Sequence, residues 1–176
     1  MEQEAKMLDS SIFTQKDLRD VFGTFPTGVC IVTGFDQNNN LTGITINSFS
    51  SLSLDPALCA FSIGKDKFST TWLQLDSELT INILSSEQGQ LAWDCAKYKN
   101  DTFNNIDTFA SERVAVPSIK GALGFIECQI SQIVDAGDHW LYICKIIAVR
   151  RNTGDPLVFF SGKMKSLKDP DETTTI

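Results

Sequence analysis

The chain has 176 residues, of which 42% are hydrophobic and 21% charged, and 15 Lys and Arg face 22 Asp and Glu for a net charge of −7. That length suits one domain able to bury roughly 70% of its unfolded surface without disulfides or metal. The negative balance disfavours a general nucleic-acid or membrane-surface role, and no run approaches the ~18 apolar residues of a membrane span.

The segment MEQEAK has no basic flank followed by an apolar run, so it does not read as a secretion signal and the cytosol is the expected compartment. Residues 1–12 read as an N-terminal extension. Thr14 and Asp17 approximate a capping box, and Leu18, Val21, Phe22 and Phe25 follow at helical spacing, with Pro26 and Gly28 as the stop. Strands are expected over 29–35 and 41–49, joined by the turn residues Gln37-Asn38-Asn39-Asn40 as a hairpin. Residues 57–63 read as a short buried strand, 69–75 as a short helix and 79–84 as a strand.

After Ser86 the apolar stripe Leu91, Ala92, Cys95 and Ala96 predicts a helix, and the polar stretch 97–105 reads as an exposed loop. Two longer strands, 122–134 and 140–150, are joined by Asp135-Ala136-Gly137-Asp138. The turn Asn152-Thr153-Gly154-Asp155 leads into a last strand, 157–161, and the polar tail 169–176 is expected to be disordered. About seven strands with two or three short helices predict one mainly β domain over 13–167, a barrel or sandwich with helical insertions, then a flexible tail over 168–176.

The five cysteines, Cys30, Cys59, Cys95, Cys128 and Cys144, form no CxxC pair and sit in part within apolar runs, as structural thiols do. With one histidine and no ligand spacing, no metal site is expected. Neither common phosphate-binding glycine loop is present, nor a G-x-S-x-G elbow.

Three features could carry chemistry. Residues 45–53 pack one amide and five hydroxyls into nine residues, the groups that a phosphate and a polar heterocycle edge require. The plainer reading is a strand end and Ser-rich turn closed by Asp55-Pro56. Lys65-Asp66-Lys67-Phe68-Ser69 places two lysines at an expected helix start, where an anion is favoured; an ordinary cap with solvated lysines fits as well. Gly137-Asp138-His139 sets an ionisable ring at a turn, where a lone histidine is more often a satisfied surface residue than a catalytic one.

In order along the chain, Phe25-Pro26-Thr27-Gly28-Val29, then 43–56 with its N-S-F-x-S-x-S-L-D-P run, then Thr80-Ile81-Asn82-Ile83-Leu84, then Gly137-Asp138-His139, then 156–167, resemble the flavin reductase family. These are the reductase components of two-component flavin monooxygenases, and the likeness runs from about Phe13 to Leu167. The resemblance implies an FMN-binding split β-barrel and an NAD(P)H-dependent flavin reductase. It would be a homodimer taking FMN, with FAD as an alternative, and NADH or NADPH as donor. It also implies a partner monooxygenase fed with reduced flavin.

On that resemblance Thr45, Ile46, Asn47 and Ser48 border the flavin, with Thr45, Asn47 and Ser48 facing the isoalloxazine and ribityl chain. Ser53 and the turn Ser62-Ile63-Gly64 lie near them, Ser69 helps hold the phosphate, and Pro26, Thr27 and Gly28 border the ring. His139 takes the family histidine's place at the nicotinamide, as the one catalytic candidate. The chain departs from the common pattern at Trp140 and Cys144, where a small polar residue and a Gly are usual. It also lacks, over 159–164, the Arg and Tyr often found there. A non-enzymatic flavin carrier on the same fold is the second hypothesis; a structural partner with an unused pocket is a third.

Overall fold

Helix α1 (Gln15–Phe22) starts where its sequence places it: Thr14 is the N-cap, and the Asp17 carboxylate accepts from the Thr14 backbone N–H at 2.7 Å and its hydroxyl at 2.6 Å. The computed structural model describes residues 12–97, 102–111 and 113–167. The expectations for residues 1–11 and for the tail over 168–176 therefore lie outside the described residues. The helix ends at Phe22 with Gly23 as its C-cap, three residues before the expected stop, so Phe25 is not part of the helical stripe. No residue of α1 is buried within the protomer.

Twelve strands form among the described residues, against the seven or so expected from sequence. The difference lies in short pairs. Seven of them make one antiparallel sheet: β2 (Cys30–Phe35), β3 (Leu41–Ile46), β4 (Ser50–Leu54), β5 (Ala57–Gly64), β6 (Glu78–Ile83), β9 (Gly124–Ala136) and β10 (His139–Arg151). Their order is β3-β2-β6-β9-β10-β5-β4. The two edge strands, β3 and β4, are consecutive in the chain and joined by residues 47–49 alone. Four peptide steps span at most about 14 Å, so this link draws the edges together and the sheet curls into a barrel.

The strand expected over 41–49 thus ends at Ile46, and the Ser-rich stretch read as a turn is largely the edge strand β4. The β9–β10 hairpin is longer than expected and turns tightly at Gly137-Asp138, where Gly137 has φ +71°. A second sheet pairs β1 (Thr27–Gly28) with β11 (Leu157–Phe160) and β11 with β12 (Lys163–Ser166). The last expected strand is therefore a hairpin, folded at Ser161-Gly162, both at positive φ. A two-residue loop of this kind matches the twist of its strands. The pair β7 (Thr108–Phe109) and β8 (Ser118–Ile119) was not anticipated.

Two apolar clusters follow from strand alternation. Inside the barrel lie Val32, Ile46, Cys59, Phe61, Ile63, Leu79, Ile81, Cys128 and Tyr142, with the Phe61 and Tyr142 rings stacked at 5.1 Å. Outside it, Val29, Ile31, Leu84, Ile119 and Leu157 pack with Ala92 and Cys95 of α2 (Gly89–Ala96). All five cysteines are free and buried, as structural thiols require. Burial pushes Cys30 and Cys95 up to about 12. Hydrogen bonding with Cys144 and Cys59, together with burial, holds the Cys128 thiol well above its usual range.

Two short elements correct the sequence reading. The helix expected over 69–75 is one 3-10 turn, Phe68–Thr71. Within the stretch read as an exposed loop, Thr102–Asn105 is a 3-10 turn, and Phe103 packs onto β3. A Cβ at Gly43 would lie 2.6 Å from the Phe103 ring, so that contact exists because Gly43 has no side chain.

Candidate functional site

Barrel closure brings the ends of β3 and β5 together, and the link Asn47–Phe49 passes over the seam. The Ser48 hydroxyl locks it: Oγ donates to the Ser62 carbonyl at 2.9 Å and accepts from the Ser62 N–H at 3.0 Å. His139 opens β10 directly opposite Gly64, and the Lys65 N–H donates to the Asp138 carbonyl at 2.9 Å. Strand pairing thus places a turn some 75 residues away in sequence beside the β5 end.

The result is a cleft of about 230 Å³ lined by Ile44, Thr45, Ile46, Asn47, Ser48, Ser62, Ile63, Gly64, Lys67 and His139. Eight of the thirteen residues expected at the site therefore meet in one place. The buried side chains of Ile46 and Ile63 also belong to the barrel core. Gly64 matters by omission: a Cβ there would lie 2.8 Å from Asp66 Oδ1 and 3.8 Å from His139 Nε2.

The polar groups differ in what they can still offer. The Thr45 hydroxyl donates to the Ala92 carbonyl at 2.7 Å, tying β3 to α2 and keeping only acceptor capacity. Ser48 is committed to the seam. The Asn47 amide, exposed on the link, makes no side-chain hydrogen bond among the described residues, so both its donors and its acceptor are open to a ligand. His139 Nδ1 lies 2.6 Å from Asp138 Oδ1, with the His139 side chain 46% exposed. The hydrogen bond to His139, and then the ring's charge, hold the Asp138 carboxyl below the usual carboxylate range. That pairing sets Nδ1 against the carboxylate and leaves Nε2 toward the Gly64 side.

The two lysines have parted. Lys65 is engaged away from the cleft, its ammonium 2.8 Å from Asp135 Oδ1 and 4.5 Å from the Trp140 ring centroid. Lys67 lines the cleft, and its ammonium lies 3.4 Å from the exposed carboxylate of its neighbour Asp66, a loose surface pair that an anion in the cleft can compete with. A single 3-10 turn carries little of a helix dipole, so Lys67, rather than a helix start, supplies the attraction. Ser69 follows two residues on, 1% exposed, with a buried hydroxyl that lacks a partner.

Five expected residues lie outside this cleft. Ser53 is on β4, opposite Leu58. Ser69 is not among the lining residues. Pro26, Thr27 and Gly28 sit at the second sheet, where Thr27 pairs with Phe159 and Gly28 with Val158. Phe159 belongs to a smaller apolar pocket of about 170 Å³, with Val29, Thr45, Ile46, Asn47, Trp93, Ala96 and Met164. Sequence reasoning missed this pocket, because Trp93 and Met164 carry no motif and meet only where α2 reaches the β11–β12 hairpin.

Comparison with known proteins matches a family model, described as flavin reductase like domain, over residues 22–168. The chain is 32% identical over 147 residues to a flavin reductase of Pseudomonas putida, covering 82% of this chain and 85% of that protein. It is 38% identical over 131 residues to the reductase component of the flavin-dependent trigonelline monooxygenase of Acinetobacter baylyi, 74% of this chain but only 42% of that protein's length. Among solved structures it superposes on the Streptomyces globisporus NADH:FAD oxidoreductase in complex with NAD and FAD fragments, with TM-score 0.85, 30% identity, and coverage of 96% of this chain and 100% of the other.

Proposed function

The chain belongs to the flavin reductase family, and from that premise we propose that it is an NAD(P)H:flavin oxidoreductase using FMN or FAD and working at the β3–β5 seam. The observation that carries the reading is the convergence of Asn47, Ser48, Lys67 and His139 on one cleft from three separate parts of the chain. These residues fit a flavin: an unengaged amide suits a heterocycle edge, and a cation at the cleft suits a phosphate. When bound, flavin supplies the hydride acceptor and nicotinamide the donor, chemistry that is the cofactors' own.

The protein's work is then placement. Asn47 holds the polar ring edge and offers hydrogen bonds where charge grows. Ser48 keeps Asn47 in register by fixing the link to β5. Lys67 holds the phosphate end. His139, oriented by Asp138, positions the nicotinamide from the opposite wall. No strong acid or base is needed, in keeping with the few titratable groups at the cleft.

The protein works as a homodimer. Val21 (65% exposed), Phe22 (67%) and Phe25 (72%) present an apolar face that a lone protomer leaves in water. Relatives named as monooxygenase reductase components support a partner oxygenase that consumes the reduced flavin. Five free buried thiols suit a reducing compartment, the cytosol. The deciding experiment is oxidation of NADH and of NADPH with added FMN or FAD. Turnover dependent on flavin is expected; flavin binding without NAD(P)H oxidation would leave a carrier instead.

A further inference from the structure

We propose that Asp66 is a specificity residue for the electron donor: with His139 it reads the amino group of the nicotinamide carboxamide across the bare backbone of Gly64. The inference rests on the reading above that the nicotinamide lies at His139, and it adds a residue at the rim, outside the cleft lining. Three side chains gather round one point, the place a Cβ would take on Gly64. Asp66 Oδ1 lies 2.8 Å from it, Lys67 Cγ 3.7 Å and His139 Nε2 3.8 Å. A glycine keeps that notch open and lets a planar group approach the main chain.

The notch offers acceptors. Asp66 turns Oδ2 to the Lys67 ammonium at 3.4 Å, while its Oδ1 has no hydrogen bond among the described residues. The Asp66 side chain is 79% exposed, so its pair with Lys67 contributes little to the fold and Asp66 is free for recognition. Asp138 accepts the Nδ1–H of His139 at 2.6 Å, so in the neutral ring Nε2 carries a lone pair and no proton. A ligand that satisfies both Asp66 and His139 brings two donor protons close together. A primary carboxamide does so, because its two amino protons diverge from one nitrogen. A phosphate brings acceptors alone, and the flavin's pyrimidine edge sets a single N–H between two carbonyls. A site built to bond an N–H discriminates strongly against a substrate that lacks it.

The test compares kcat/KM, with flavin in excess, for NADH and three reduced analogues. One carries 3-acetylpyridine, which keeps the carbonyl but has no amino group; one carries nicotinic acid, a carboxylate; one has hypoxanthine in place of adenine. Comparing each variant's ratios with those of the wild type cancels the donors' intrinsic reactivity. Asp66→Ala should cut the preference for NADH over the acetylpyridine donor by about tenfold, the scale of one hydrogen bond to a charged group. The same change should raise the nicotinic acid donor relative to NADH, because its carboxylate no longer meets a like charge. Asp66→Asn, which keeps an acceptor without the charge, should retain most of the first preference and lose the second. Dissociation constants of the oxidised dinucleotides, by calorimetry on the flavin-loaded protein, should move in the same order without turnover. Asp135→Ala removes an exposed carboxylate that is paired with Lys65 and should change neither ratio. Unchanged ratios in Asp66→Ala overturn the proposal, and so does an equal shift in Asp135→Ala, which would be a general field effect. A shift confined to the hypoxanthine donor assigns Asp66 to adenine and overturns it too. No flavin-dependent oxidation of NADH by the folded wild type would instead overturn the donor reading itself.

Discussion

Asn82 lies in one of the stretches that carry the family resemblance, yet its position identifies it as a fastener of the scaffold. It is fully buried, and its Nδ2 donates to the Ile31 carbonyl at 3.1 Å, the Thr33 hydroxyl at 3.2 Å and the Thr80 carbonyl at 3.2 Å. Its Oδ1 accepts from the Ile119 N–H at 2.8 Å. One side chain thus joins β2, β6 and β8. Asn82→Ala leaves the buried Ile119 N–H without an acceptor, a cost of roughly 1–3 kcal/mol, and removes further bonds of about 1 kcal/mol each. The expected loss is about 3 kcal/mol. With a urea slope of about 2 kcal/mol/M for a domain of this size, the midpoint falls by about 1.5 M. Flavin affinity in the native baseline should be unchanged, since Asn82 lines neither cavity.

Asn82→Asp sharpens the test. It keeps an acceptor for Ile119 but points a second oxygen at two carbonyls, so burial and repulsion raise its folded-state pKa above the ordinary ~3.9. Between those two values the folded form binds more protons than the unfolded one, so stability falls as pH rises through the window. Urea midpoints from about pH 4 to pH 7 should decline for this variant relative to wild type. An Asn82→Ala midpoint within about 0.3 M of wild type, or an Asp variant with no relative decline, would refute the reasoning.

His139→Ala should raise the KM for NAD(P)H several-fold with a smaller effect on kcat and little on flavin affinity, as loss of uniform binding requires; a fall in kcat with loss of a limb of its pH profile would show proton transfer instead. Asn47→Ala should weaken flavin binding by roughly 1–2 kcal/mol, read by fluorescence titration, and an unchanged affinity would move the ring contact elsewhere. The five cysteines should be inert to a thiol reagent in the native protein and all react in denaturant; rapid native labelling would contradict their burial. Phe22→Asp with Phe25→Asp should yield a folded monomer in light scattering if that face meets a second copy, and an unchanged dimer would place the interface elsewhere.

Local rules carried the sequence reading a long way. The capping box at Thr14, the 37–40 turn, the β9–β10 hairpin and the burial of the cysteines all depend on neighbours within a few residues, or on side-chain type alone. So does the hydroxyl-rich 45–53 run, and the resemblance added barrel class and flavin chemistry. Only tertiary structure decided how those residues are used. Thr45 and Ser48 look alike in sequence as hydroxyl donors, but strand closure engages one with Ala92 and the other with Ser62, leaving Asn47 unengaged. Lys65 and Lys67 are two residues apart, and the ladder turns one toward Asp135 and Trp140 and the other into the cleft. The pocket of Trp93, Phe159 and Met164 joins an α2 residue to a hairpin some 65 residues later, a meeting set by core packing that no spacing along the chain encodes.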